Sequence, residues 1–232
     1  MQLQPASPPT PPSDLAAGLA ACARERGQRP AVTVLSAAGR AEQGYVTLAQ
    51  WAAKGAHLLA MDLTAGPGTR VLVDIDPGWT LAAVCAAVWW VGGTVVLGDD
   101  TDVAGAVVHE SRPRPDAVEV YRVGDAVDGG LTVASGDLVW AEEVQAFPDT
   151  PPPSAARSDL PAIDDGVVTT HGELVAALAP GRGTLGLDLA TFTGNGVREV
   201  AARPLVTGRT TLVLRDGLAR SAADGDRVAT WV

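Results

Sequence analysis

The sequence predicts a layered α/β fold with mainly parallel sheet and flanking helices. Three observations carry that expectation. Arg70-Val-Leu-Val-Asp-Ile75 reads as a buried strand, Trp79 to Val91 as an apolar helix, and Thr94-Val-Val-Leu97 as a second buried strand. Strand, helix, strand at this spacing is a βαβ unit, whose crossover makes the two strands parallel. Further β-branched runs and helical patterns follow along the whole chain. Finally, 232 residues of 47% hydrophobic content can enclose one sizeable core, or two lobes sharing an interface.

The elements follow in order. Residues 1–12 carry five prolines and predict a disordered lead. Ser13 is the expected N-cap of a helix running to Arg26, with Leu15, Leu19 and Cys22 at helical spacing and Gly27 ending it. Ala31 to Leu35 is a strand, Ala37 to Arg40 a turn, and Gly44 to Val46 a short partner strand. Thr47-x-x-Gln50 reads as a capping box opening a second helix, and Lys54 falls on its solvated side. Ala104 to Val108 and Ala117 to Val123 are expected strands, and Ser135 the cap of a helix to Phe147. Pro148 to Pro161 holds five prolines and predicts an exposed linker. Beyond it come a strand at Gly166–Val168 and a helix opened by a second capping box, Thr170-x-x-Glu173. A strand at 184–190, a helix at 197–206, a strand at 209–214, a short helix capped by Ser221 and a last strand at 227–232 complete the chain. In lobes, 70–147 forms one, and 13–63 with 162–232 the other.

Composition narrows the function. The net charge is −10, and an acidic surface repels phosphate backbones and anionic lipid, so neither nucleic acid nor membrane is an expected partner. The uncharged run from Pro77 to Gly98 is broken by Gly92-Gly93 and lacks basic flanks, so it reads as buried helix plus buried strand. The start has no basic region and no apolar run, and the expected location is cytoplasmic. Cys22 and Cys85 lie in Ala-rich helical patterns and read as buried free thiols. No metal-type spacing is present, and no cofactor is expected. His57 and His109 read as surface or half-buried residues, and the tryptophans as core or interface.

Several segments resemble the adenylate-forming superfamily of AMP-forming acyl-CoA synthetases and adenylation enzymes. Tyr45-Val-Thr-Leu resembles its tyrosine-threonine opening, and Gly66-Pro-Gly-Thr-Arg-Val71 resembles G-x-x-x-G-D-R-V with Thr69 in place of Asp. Trp90 to Leu97 resembles its G-G-x-x-V-P segment. Gly166-Val-Val-Thr-Thr-His-Gly-Glu-Leu174 resembles the end of the nucleotide signature, G-V-x-x-T-H-x-x-L. Phe192-Thr-Gly-Asn-Gly196 resembles F-H-x-x-G with Thr193 in place of His, and Arg203 to Leu214 resembles P-L-x-x-G-x-x-x-V-L. The pattern is similar to that of a set of actinobacterial proteins with the same truncated outline. The resemblance implies the front part of the family's N-terminal α/β domain.

The departures fall on the chemistry that the resemblance implies. The family places a Ser/Thr/Gly-rich loop ending in Pro-Lys-Gly just before the G-V-x-x-T-H segment, and its backbone N–H groups and Lys hold the triphosphate. Aligned on Gly166, the Lys position is Asp165 and the Pro position Asp164. Lys54 is the single lysine and matches neither family lysine. The chain stops at Val232, before the family's Tyr-Gly-x-Thr-Glu segment. The expected function is therefore a non-catalytic binding or interaction module. Two alternatives stand beside it: half of a split ligase completed by a partner chain, and a small-ligand sensor for nucleotides or acyl groups. The candidate cleft residues are Thr169, Thr170, His171, Phe192, Thr193 and Asn195. A second copy or a partner protein is the expected cover for the edge where the family's later segments would lie, with Trp231 shielding part of it.

Overall fold

The computed structural model describes residues 11–98, 102–117, 119–124, 133–178, 184–191, 195–226 and 228–231. The expected disordered lead lies almost entirely outside these residues, as do Phe192 and Thr193. Two mostly parallel sheets are flanked by helices, as the sequence predicts.

The first half builds both sheets. Helix α1 (Leu15–Arg26) is capped by Asp14, whose carboxylate accepts from the Ala17 amide at 2.8 Å. Ser13, the expected cap, instead donates its hydroxyl to Asp14. A carboxylate is the stronger acceptor for that amide. Strand β1 (Pro30–Ser36) turns back through β2 (Gly39–Gly44) in an antiparallel hairpin longer than expected. Helix α2 (Tyr45–Asp62) starts two residues before Thr47, so the expected Thr47–Gln50 capping box does not form. Thr47 lies within the first turn and donates to Gln28. Tyr45 is buried and its hydroxyl bonds the Pro204 and Arg209 carbonyls, pinning α2 across the core.

Strand β3 (Arg70–Asp74), helix α3 (Trp79–Trp90) and strand β4 (Thr94–Val96) form the expected βαβ unit, with β3 and β4 parallel. Eleven of the twelve α3 residues are buried. A helix apolar all round must lie between layers, and α3 packs on α1, α2, β1 and the helix beginning at Val197. No described helix is long and apolar enough to cross a membrane.

The seven-stranded sheet has the order β7-β6-β5-β3-β4-β8-β9, with β5 at Gly105–His109, β6 at Glu119–Val123, β7 at Leu138–Val139, β8 at Pro161–Asp164 and β9 at Val168–Thr170. Ser135 caps no helix: the chain forms β7 first, then the short α4 (Trp140–Glu143) and a 3₁₀ turn. The five-stranded sheet has the order β12-β10-β11-β1-β2, with β10 at Thr184–Asp188, β11 at Thr211–Leu214 and β12 at Val228–Trp231. Residues 161–170 thus pair with the sheet of residues 70–139 rather than with the second lobe as expected, because β8 continues that sheet beside β4. Helix α5 (His171–Ala177) follows β9. A π-helical turn at Val197–Ala202 runs into α6 (Arg203–Thr207).

The Pro-rich stretch before β8 is a bound strap rather than a free linker. Trp90 donates its indole N–H to the Pro152 carbonyl at 2.8 Å, and its own carbonyl accepts from Ala155 N and Ser154 Oγ. Lys54, expected in solvent, donates to the Phe147 carbonyl at 2.8 Å and pairs with Asp149 at 3.0 Å. Cys22 and Cys85 are buried free thiols, and burial raises both, Cys22 to about 11.

Candidate functional site

Parallel strands direct their carboxyl ends to one rim, where the loops that follow them can carry ligand groups. The connection between β8 and β9 lies on this rim. The two strands pair antiparallel, with Asp164 opposite Val168. Only Asp165, Gly166 and Val167 join them, so the expected strand at Gly166–Val168 is mostly a tight turn. Gly166 has φ 93, a left-handed conformation suited to glycine.

Both aspartates of this turn have hydrogen-bond partners. Arg70 donates from Nη1 to Asp164 at 2.8 Å, and the Gly166 amide donates to its other oxygen at 3.1 Å. The Arg70 hydrogen bond holds the Asp164 carboxyl below the usual carboxylate range, against the opposing effect of burial. Asp165 accepts from Asn195 Nδ2 at 2.7 Å. The Asn195 carbonyl oxygen in turn accepts from the Arg198 amide at 3.1 Å, at the start of the Val197 helix. Asn195 thereby ties the hairpin of one sheet to the helix that follows β10 of the other.

The remaining candidate residues do not form one wall. Thr170 caps α5 in the expected capping box: its hydroxyl accepts from Glu173 N and donates to the Glu173 carboxylate, which also accepts from Thr170 N. Thr169 pairs with Ile163 and is partly buried. His171 is 0% exposed and turned into the core. Its Nδ1 accepts from Leu15 N at 3.4 Å, its ring meets Trp89 edge-on at 6.4 Å, and its Nε2 has no partner among the described residues. Burial lowers its pKa to about 4, with Asp14 opposing, so the ring is neutral at pH 7. A core histidine at this depth cannot contact a ligand on the rim. Phe192 and Thr193 lie outside the described residues.

Two open crevices lie on the rim and share Ile75 and Asp76. One, of about 320 Å³, sits between the β1–β2 hairpin and the start of α3; Trp79, Asp76, His109, Arg215 and Asp216 contribute to its wall. The other, of about 350 Å³, lies between the ends of β3 and β4 and the turn at Gly196. Arg112 spans their boundary, donating to Asp74 at 3.2 Å and to Asp76 at 2.8 Å. Behind it, the buried carboxylate of Asp137 receives Arg122 and Arg114, each at 2.7 Å, and Arg122 also donates to the Arg112 carbonyl. Burial alone would raise the Asp137 carboxyl, but these two guanidiniums outweigh it and hold the group low. Asp76, Trp79, Arg112, Arg215 and Asp216 carried no sequence motif. Their one signal was position just after a strand. His109, expected at or near the surface, is buried.

With this geometry in hand, the solved structures decide the fold. The Brucella canis acyl-CoA synthetase superposes with a TM-score of 0.76 at 14% identity, covering 98% of this chain and 48% of that one. The chain shares the fold of the acyl-CoA synthetase N-terminal domain. The coronafacic acid ligase of Pectobacterium brasiliense superposes at 0.70 with 13% identity, covering 88% of this chain and 46% of that one. The chain therefore spans about half the length of these adenylate-forming structures. A Mycobacterium tuberculosis TIGR03089 family protein is 47% identical over 66 residues, which are 28% of this chain and 27% of that one. No family model matches.

Proposed function

We propose that this chain uses the adenylate-forming fold as a non-catalytic binding module. The observation that carries the proposal is the β8–β9 connection. Where the adenylate-forming pattern places a glycine-rich loop with its lysine, this chain has three residues and a turn bearing Asp164 and Asp165. A triphosphate there would meet carboxylates instead of N–H donors. At an effective dielectric of about 20, two like charges about 4 Å apart repel by about 4 kcal/mol. Arg70 offsets Asp164, but Asp165 meets the neutral amide of Asn195. Loss of a single transition-state donor already lowers rates by about 10²–10³, and here the loop and its charge are both replaced.

The rim nevertheless keeps two crevices of small-molecule size, which supports binding without turnover. The test is ATP–pyrophosphate exchange by purified protein supplied with Mg²⁺ and a panel of carboxylic acids. No exchange above background is expected. Exchange by the chain, alone or with a second chain supplying a catalytic lysine, would overturn the proposal.

A further inference from the structure

Helix α1 belongs to neither sheet and is seated on the fold mainly by side-chain packing. Leu15, Ala16, Leu19 and Cys22 bury one face of it, and its neighbours are α2, α3 and α6. Hydrogen bonds add little to this seat. Apart from contacts of the Cys22 thiol, a weak donor, one hydrogen bond among the described residues ties α1 to another element. It runs from the Leu15 amide to His171 Nδ1 and is long, at 3.4 Å.

This bond requires a neutral ring. Nδ1 accepts, so the proton sits on Nε2, which is buried without a partner among the described residues. Protonation would set an N–H against the Leu15 N–H and place a cation at the positive end of the α1 dipole. The groups around the ring do little to offset this. Asp14 at the start of α1 attracts the cation, but its carboxylate already accepts from the Ala17 amide and the Ser13 hydroxyl. On α5 itself, the Glu173 carboxylate is held by Thr170. From the strap, Arg157 and Asp159 pair with each other at the surface. From α3 the ring meets Trp89, which does not titrate and gives its own N–H to the Ala162 carbonyl.

We propose that His171 is an acid-sensitive latch: once protonated, the ring lets go of Leu15, and α1 swings away from α3 and α5 while both sheets stay folded. The ring is neutral at pH 7 because burial outweighs the pull of Asp14. A depressed histidine favours the closed form above about pH 6.5, and opening becomes easier as pH falls toward 4. The latch is independent of the binding-module reading, since it lies in the core and away from the rim.

The test is native-state hydrogen exchange of the full chain at pH 7.5 and 5.0, corrected for the intrinsic pH dependence of amide exchange. Amides in the middle of α1, from Leu19 to Ala23, are compared with those of Val71 and Val73 in β3. A ring returning fully to 6.5 on opening corresponds to about 25-fold at pH 5.0. Protection in α1 is therefore expected to fall by at least about ten-fold more than protection in β3. His171→Gln keeps an acceptor for Leu15 and cannot titrate, so in that variant the two sets should move together. Equal falls in α1 and β3 of the wild type would overturn the latch, because the ring would then be released only by global unfolding. A selective fall in α1 that persists in His171→Gln would also overturn it. The first comparison lies within the wild type and holds even if the variant folds poorly. Exchange of ATP with pyrophosphate bears on the non-catalytic reading alone, so the two failures are distinguishable.

Discussion

His171 makes the stability of this fold depend on pH in a direction that can be worked out. The ring is 0% exposed, lies against Trp89 and leaves Nε2 without a partner among the described residues. Burial lowers its pKa from 6.5 to about 4. The unfolded chain therefore takes up the proton first as pH falls, and the folded chain resists it. The resulting stability is fully present above about pH 6.5 and is lost progressively as pH falls toward 4. Between pH 7.5 and 4.5 the loss from this residue comes to about 2.5 kcal/mol at about 1.4 kcal/mol per pH unit. Carboxylates also titrate at the lower end, so the comparison must be differential. His171→Gln keeps an acceptor for Leu15 N and removes the titration. Urea unfolding of both proteins at pH 7.5 and 4.5 gives the measurement. The wild type should lose about 2.5 kcal/mol more than the variant over this interval. Parallel losses, within about 0.5 kcal/mol, would refute the assignment of a neutral core histidine.

Two further predictions concern the scaffold around the rim. Asp137→Ala leaves Arg122, with a side chain 8% exposed, buried without its carboxylate, and should cost about 3 kcal/mol in urea unfolding. A cost below about 1 kcal/mol would show that the ion pair is not structural. Gly186→Ala would place a methyl 2.5 Å from the Trp231 ring, so Trp231 should leave the sheet edge, red-shifting tryptophan emission and costing about 1–3 kcal/mol. An unchanged emission maximum would refute that packing.

Much of the fold was legible because its signals are local and its core is apolar. The β3–α3–β4 unit follows from residues 70–97 alone, and the Thr170–Glu173 capping box forms as its spacing implies. The failures have physical causes of their own. Thr47 has the right spacing to Gln50 for a cap, but Tyr45 starts the helix because its hydroxyl reaches two carbonyls, of Pro204 and Arg209, far along the chain. The strap at 148–160 looked like solvent-exposed linker by composition. Its order comes from Trp90 and Lys54, contacts that no local pattern encodes.

The candidate site was legible in a different way. The proposed loss of phosphate chemistry rests on Asp164 and Asp165, which need only residue type and position to be noticed. The rim crevices could not, because Ser36, Asp76, His109 and Asp216 come from separate strand ends that meet only when two sheets pack. His171 shows the same limit in reverse. It occupies a motif position, yet folding turns it toward Leu15 and the core.

The claim that the rim no longer handles phosphate is tested most directly by titrating Mg·ATP into the full chain and following the Gly166 amide. That amide is held by Asp164 at 3.1 Å in the turn between β8 and β9. The account predicts no saturable shift of this resonance up to millimolar nucleotide. Saturable binding at Gly166, with a Kd in the micromolar range, would contradict it.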